Sequence, residues 1–171
     1  MRSIALYGRT GSGKTTLGKL LTGHGFQHVK AGVACRNLCL ELFDSEAKGI
    51  MNRVADALRA IDQTVWLRAA LRSTSDVPFV FDSMRFPEDY VYMQERRCLT
   101  VKIIAGQTLR LRRLAERGQQ YEPERDELHD AEVSLEGFQF DYTLHNEGDT
   151  AELAEWARTL AAAASDSYWR P

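Results

Sequence analysis

Cysteine is scarce, and the three present, Cys35, Cys39 and Cys98, form no framework. An odd count without paired spacing argues against a disulfide-stapled secreted domain. The gap between Cys35 and Cys39 is not the C-x-x-C of zinc or redox sites, so all three read as small buried hydrophobes. No apolar run approaches the roughly 18 residues that span a bilayer. The apolar stretch Ile4–Tyr7 is too short for the core of a signal peptide. Together these absences make the cytoplasm the expected location and argue against a membrane partner. A basic excess is missing too. Lys and Arg number 22 against 24 Asp and Glu, a formal net charge of −2, whereas proteins living on a nucleic-acid backbone usually carry surplus positive charge. Nucleic acid is therefore not an expected partner, although a small anionic ligand needs only a few local cations. Internal repeats and linker-like stretches are also lacking. The chain, 171 residues and 44% hydrophobic, reads as one domain over 1–171 with a single core.

What the chain does contain is an alternation of strand and helix signals. Ile4–Tyr7, Phe79–Phe81 and Val101–Ala105 are short runs rich in β-branched or aromatic residues, the pattern of strands buried on both faces. Two weaker runs, Gln27–Val29 and Tyr142–Leu144, join them. Apolar residues at three- and four-residue spacings predict helices over Lys14–Leu21, Cys35–Phe43, Ile50–Ile61, Val65–Leu71, Glu88–Arg97, Leu109–Glu116 and Ala151–Ala164. Strands alternating with helices imply βαβ units and a parallel sheet covered on both sides. The charged stretch Gly118–Glu136, which carries Pro123, reads as a lid-like segment.

Gly8-Arg9-Thr10-Gly11-Ser12-Gly13-Lys14-Thr15 matches G-x-x-x-x-G-K-[ST] in full, directly after a predicted strand and opening a predicted helix. Glycines let the backbone turn tightly and present N–H groups to phosphate oxygens, and the helix N-terminus adds unpaired donors and a positive dipole end. Gly8, Thr10, Gly11, Ser12, Gly13, Lys14, Thr15 and Thr16 are the expected binding residues for the phosphates of ATP. Lys14 would reach the β- and γ-phosphates, and Thr15 would offer its hydroxyl to Mg²⁺. The fold class expected is therefore α/β: a three-layer P-loop NTPase domain with a central parallel sheet, a helical acceptor-binding insertion over about 31–75 and a short lid over about 110–136.

Asp82 follows the strand Phe79–Phe81, at the carboxyl end where open α/β sheets bind ligands. It is placed to assist Mg²⁺ or to accept a proton, and Arg85 would present a fork to a phosphate. Asp82-Ser83-Met84-Arg85-Phe86-Pro87 resembles the start of the D-x-R-F-x-N-E segment of the phage-type deoxynucleoside monophosphate kinases, within the adenylate-kinase-like P-loop kinases. Asn52 to Arg59, followed by Asp62 and Val65-Trp66-Leu67, resembles that family's acceptor-side segment. His129-Asp130-Ala131-Glu132 resembles its H-x-S-E, with Ala131 replacing the serine. Phe140 to Leu144 and Asn146-Glu147-Gly148 resemble its closing strand and N-D-G turn. In this chain Glu88-Asp89 stands where the family has Asn-Glu. Dephospho-coenzyme A kinases share the closing pattern.

The resemblance implies ATP- and Mg²⁺-dependent transfer of a phosphoryl group to a nucleoside monophosphate, a small-molecule acceptor, with Lys14, Asp82, Arg85, Arg110 and Arg113 as the catalytic set. Two adjoining polyanions require cations from several directions. Arg110, Arg112 and Arg113 on one helix, with Arg117 and Arg125 beyond it, are the candidates to close over the transferring group. Arg36, Arg53, Arg59, Trp66, Arg85, His129 and Glu132 are the acceptor-side candidates. Trp66 reads either as core or as a surface for a base. His129 and Glu132 read either as lid structure or as base contacts, and His24 and His28 need no function. The oligomeric state stays open between monomer and homodimer. The alternatives are a dephospho-coenzyme A kinase-like enzyme and a P-loop NTPase switch with no small acceptor. The lack of an N-K-x-D base motif weakens a GTPase version of the switch.

Overall fold

All five apolar runs form strands: β1 (Ile4–Tyr7), β2 (Gln27–Val29), β3 (Phe79–Phe81), β4 (Leu99–Ile104) and β5 (Tyr142–His145). In the computed structural model, which describes residues 1–72, 74, 77–119 and 121–166, they pair in parallel in the order β2-β3-β1-β4-β5. The lid cation expected at Arg125 has its side chain outside the described residues.

The helices are α1 (Lys14–Thr22), α2 (Ala31–Phe43), α3 (Lys48–Arg59), α4 (Val65–Leu71), α5 (Pro87–Glu95), α6 (Gln107–Glu116), the short α7 (Pro123–Asp126) and α8 (Asp130–Val133), and α9 (Thr150–Ser165). Apart from α7 and α8, which lie in the charged stretch read only as lid-like, their positions follow the predicted ones with shifts at the ends. Helix α2 begins at Ala31 rather than Cys35, because Gly32 and Val33 in its first turn break the apolar periodicity without breaking the helix. Strand β4 begins two residues earlier than its β-branched run, since Leu99 and Thr100 pair with Ile4 and Ala5 of β1.

β1 lies at the centre, and its alternation builds both layers. Ile4 and Leu6 join Leu17 and Leu21 of α1 and Leu153, Ala157 and Leu160 of α9 in one core. Ala5 and Tyr7 join Phe81, Met84, Met93 and Leu67 in the other. A buried Leu or Ile of this kind contributes about 1.5–3 kcal/mol relative to exposure, so sliding β1 by one residue would forfeit both faces together. A third, smaller core of Cys35, Cys39 and Trp66 holds α2, α3 and α4 over one end of the sheet. The cysteines are free and buried, as their spacing predicts. Among the described residues, no helix is long and apolar enough to cross a membrane.

Candidate active site

Between Tyr7 and Lys14 the chain makes the glycine loop at the carboxyl edge of the sheet. Gly13 caps α1 with φ of +107°, a conformation costly for any residue with a side chain. A Cβ there would also run into the amide of Asn146. That amide donates to the Ser12 carbonyl at 2.7 Å, so the turn after β5 clamps the loop from behind. The sequence marked Asn146 only as a turn residue. Ser12 is buried, and a Cβ on Gly8 would lie 2.7 Å from its hydroxyl. The Ser12 side chain thus packs behind the loop.

Lys14 is buried and folds back, donating to the carbonyls of Gly8 and, at 3.0 Å, Arg9. Burial first, then the charge of Arg85, pushes its ammonium down to about 7, against the opposing pull of Glu132 and Asp82. It is a desolvated cation supplied with few anions, which is what a triphosphate tail would relieve.

Thr15 donates its hydroxyl to Asp82 Oδ2 at 2.9 Å. His28 Nε2 lies 2.9 Å from the same oxygen, and Ser83 donates to Oδ1 at 2.9 Å. Burial pushes the Asp82 carboxyl up, but the hydrogen bond and charge of His28 and the two hydroxyls outweigh it and hold it below its ordinary value. A hydroxyl and an ionised carboxylate at one point are hard oxygen donors that suit Mg²⁺, which commonly takes one or two protein ligands and fills the rest from phosphates and water. No cluster of three or more His, Cys, Asp or Glu able to hold a metal occurs among the described residues. His28, set aside at the level of sequence, thus belongs to this site.

A groove of about 390 Å³ runs along the loop, lined by Thr10, Gly11, Gly13, Lys14, Thr15, Thr16, Lys30, Arg36, Asp82, Arg85 and Arg117 among others. It adjoins a cavity of about 260 Å³ beneath α2, α3 and α4, and the two share Gly32, Met51, Ser83 and Arg85. Arg59 lines the inner cavity. Its guanidinium lies 4.7 Å from the centroid of the Phe86 ring. Burial first lowers the pKa of Arg59, and the Arg85 charge adds to this while Asp89 opposes it. Asp89 itself is committed to the backbone, accepting from Arg85 N at 3.0 Å and Phe86 N at 3.2 Å. It caps α5 rather than facing the groove.

Several expected roles move. Arg110 does not reach the groove: it is buried and donates to both carboxylate oxygens of Glu127, at 2.7 and 2.8 Å, to the Thr10 carbonyl at 3.1 Å and to the Ala105 carbonyl at 3.2 Å. Arg113, one turn on, faces elsewhere. It donates to the carbonyls of Asn146 and Gly148 and lines a third cavity, about 240 Å³, with Gly13, Thr16, Arg117 and Asp149. The two arginines therefore do not converge. His129 is exposed and caps α8, its Nδ1 accepting from Ala131 N at 3.1 Å. Arg53 is exposed and lines neither the groove nor the inner cavity. Trp66 is buried with its N–H on the Ala55 carbonyl at 3.1 Å, a core residue whose edge borders the inner cavity. Arg36 stays at the mouth of the groove, paired with exposed Glu46 at 3.1 Å.

The segment expected to form a lid is docked. Glu132 accepts from Thr10 N at 2.5 Å, Thr10 Oγ1 at 2.7 Å and Arg85 at 2.8 Å. Glu127 accepts from Arg110, Arg9 and the Tyr121 hydroxyl. The hydrogen bonds of Arg110 come first among the causes that bring the Glu127 carboxyl down to about 2, against the effect of burial and with help from Arg9 and Tyr121. Glu127 was not singled out by sequence, because a Glu in a charged run carries no sign that it will be buried.

The same architecture occurs in known kinases. A sugar kinase from a Janibacter species shares 16% identity at a TM-score of 0.58, with 97% of this chain and 99% of that one covered. Shikimate kinase from Aquifex aeolicus shares 18% at 0.56, covering 96% and 98%. The Mycobacterium tuberculosis APS kinase solved with AMPPNP and APS shares 14% at 0.53, covering 94% and 97%. At these identities the likeness establishes the fold, that of P-loop kinases. No curated protein matches the chain. Residues 4–134, which carry the glycine loop, strands β1 to β4 and the lid helices, match the family model described as AAA domain, and the chain belongs to that family.

Proposed function

We propose that the protein transfers the γ-phosphoryl group of ATP to a small phosphomonoester, a nucleoside monophosphate being the first candidate. The observation that carries this reading is the charge of the acceptor side. Arg36, Arg59 and Arg85 line the groove and its inner cavity, whereas Asp82 is the one carboxylate among the described lining residues. Asp82 is already held by Thr15, His28 and Ser83. A hydroxyl acceptor must lose a proton as it attacks and gains from a base placed beside it. A phosphate monoester is largely ionised at neutral pH, with a second pKa of about 6, so its oxygen attacks without one and needs cations instead.

Lys14 and the loop amides would hold the donor phosphates, Thr15 and Asp82 would hold Mg²⁺, and Arg85 with Arg59 would hold the acceptor anion. Mg²⁺ bound there would neutralise charge on the phosphate oxygens. Arg113, Asn146, Gly148 and Asp149 border the third cavity, which shares Gly13, Thr16 and Arg117 with the groove but none of the inner cavity's lining, and suit the nucleoside part of the donor. Rate enhancement comes from alignment and charge neutralisation rather than from a covalent intermediate.

ADP release with ATP, Mg²⁺ and a panel of acceptors tests the reading. One or more nucleoside monophosphates are expected to exceed sugars, shikimate and dephospho-coenzyme A, all of which offer hydroxyls, by about 10²-fold or more in kcat/KM, the scale of general-base assistance. Faster turnover with a hydroxyl acceptor would transfer the protein to that class. Hydrolysis indifferent to every acceptor would make it an NTPase.

A further inference from the structure

His28 lies in β2, in register with Val80 of β3, and its ring packs against α1 at Gly18. A Cβ on Gly18 would lie 2.6 Å from His28 Nε2 and 3.0 Å from Cδ2 and Cε1. Glycine inside a helix is among the poorest choices for helix stability, so its presence here is explained by the ring that occupies the space. From that position Nε2 reaches Asp82 Oδ2 at 2.9 Å. Asp82 is held by three side chains: Thr15 from the loop, Ser83 from its own strand end, and His28, the one contributed by β2. Lys30 Nζ stands 3.9 Å from the same Oδ2. A carboxylate that lost the ring would be free to turn toward that ammonium and away from Thr15.

We infer that His28 is a positioning residue of this site: its ring fixes the Asp82 carboxylate opposite Thr15 and thereby sets how strongly Mg²⁺ supports triphosphate binding, with Gly18 providing the room. This rests on the reading of the groove as an ATP site. His28 touches neither donor nor acceptor; it acts through Asp82, as outer groups that orient metal-binding side chains do.

Calorimetric titration with ATP, once with excess Mg²⁺ and once with EDTA, separates the metal-dependent part of the affinity from the rest. In His28→Leu the gain from Mg²⁺ is expected to fall by about 10- to 100-fold, while affinity in EDTA stays within about twofold, which also reports an intact fold. His28→Gln, whose amide N–H can replace Nε2, is expected to regain most of the gain. Gly18→Ala, although alanine is the better helix former, is expected to behave like His28→Leu because its methyl displaces the ring. A Mg²⁺ gain in His28→Leu equal to that of the parent would overturn the inference, as would a loss in His28→Gln as large as in His28→Leu. If the parent itself bound no ATP under either condition, the ATP-site reading would fail and take this inference with it.

Discussion

Lys14→Met is expected to lose at least about 10³-fold in phosphoryl transfer, on the scale of removing a preorganised charge from a reacting oxyanion, and yet to fold as well as the parent. The two halves of this expectation have one cause. Lys14 is buried with its ammonium on two backbone carbonyls, in the company of Arg85 and Arg110, and is pushed down to about 7. A desolvated cation without a full counter-charge is a burden on the ligand-free protein, and an apolar side chain of similar length removes that burden. With a triphosphate in the groove, as proposed, the balance would reverse, since the same cation would meet phosphate charge. Thermal unfolding checks both halves. Without nucleotide the variant melts at or above the parent temperature. With ATP and Mg²⁺ at 100-fold above Kd the parent gains about 2.7 kcal/mol, a mass-action effect that the variant should largely lack. Parent-like turnover would remove Lys14 from the donor site, whereas an unfolded variant would show that its role is structural.

Glu127→Gln is expected to destabilise the protein at neutral pH by about 3 kcal/mol, within the range for breaking one partner of a buried ion pair. Arg110 and Glu127 are both buried and bidentately paired, so neutralising one strands the other. The pH dependence gives a second reading of the same pair. The folded carboxyl sits at about 2 against an ordinary value of 4.5. A depressed carboxyl contributes stability that is present above the unfolded value and lost as pH falls toward the folded one, in total about 3 kcal/mol here. Denaturant unfolding of parent and variant should therefore differ most above pH 5, and the gap should shrink to roughly half or less by pH 3. A gap independent of pH would mean that the carboxylate charge is not what matters. The double variant Arg110→Met/Glu127→Leu should recover most of the loss, because a buried ion pair is often replaceable by well-packed apolar groups. These residues join α6, the loop carbonyl of Thr10 and the lid helix α7, so the cost falls on the tie between lid and phosphate loop.

The two residues show how differently a cation can be used within one motif neighbourhood. Arg110 and Lys14 are both buried, but Arg110 meets a dedicated carboxylate and becomes a structural joint. Lys14 meets carbonyls and is left with unspent charge. Arg110 and Arg113, on one helix, were both expected in the catalytic set; in the folded protein one is a joint and the other borders the turn after β5. Helical periodicity says which residues are neighbours on a helix surface, not what that surface packs against.

Local chemistry in the sequence was enough to determine the glycine loop, the five strands, the parallel α/β class and the place of Asp82 at a strand end. Each of these depends on residues a few positions apart, where backbone freedom, side-chain branching and apolar spacing act directly. Only the tertiary structure decided which distant residues complete the site. Asn146 and Ser12 are 134 positions apart, Glu132 and Thr10 122, and His28 and Asp82 54. Those meetings follow from β1 lying between β3 and β4, which brings the ends of three strands, one lid helix and one late turn to a single edge. A polar residue in a charged or turn-forming stretch looks the same in sequence whether it ends in solvent or against the phosphate loop; its neighbours across the sheet edge determine whether its charge is screened by water or held by a partner.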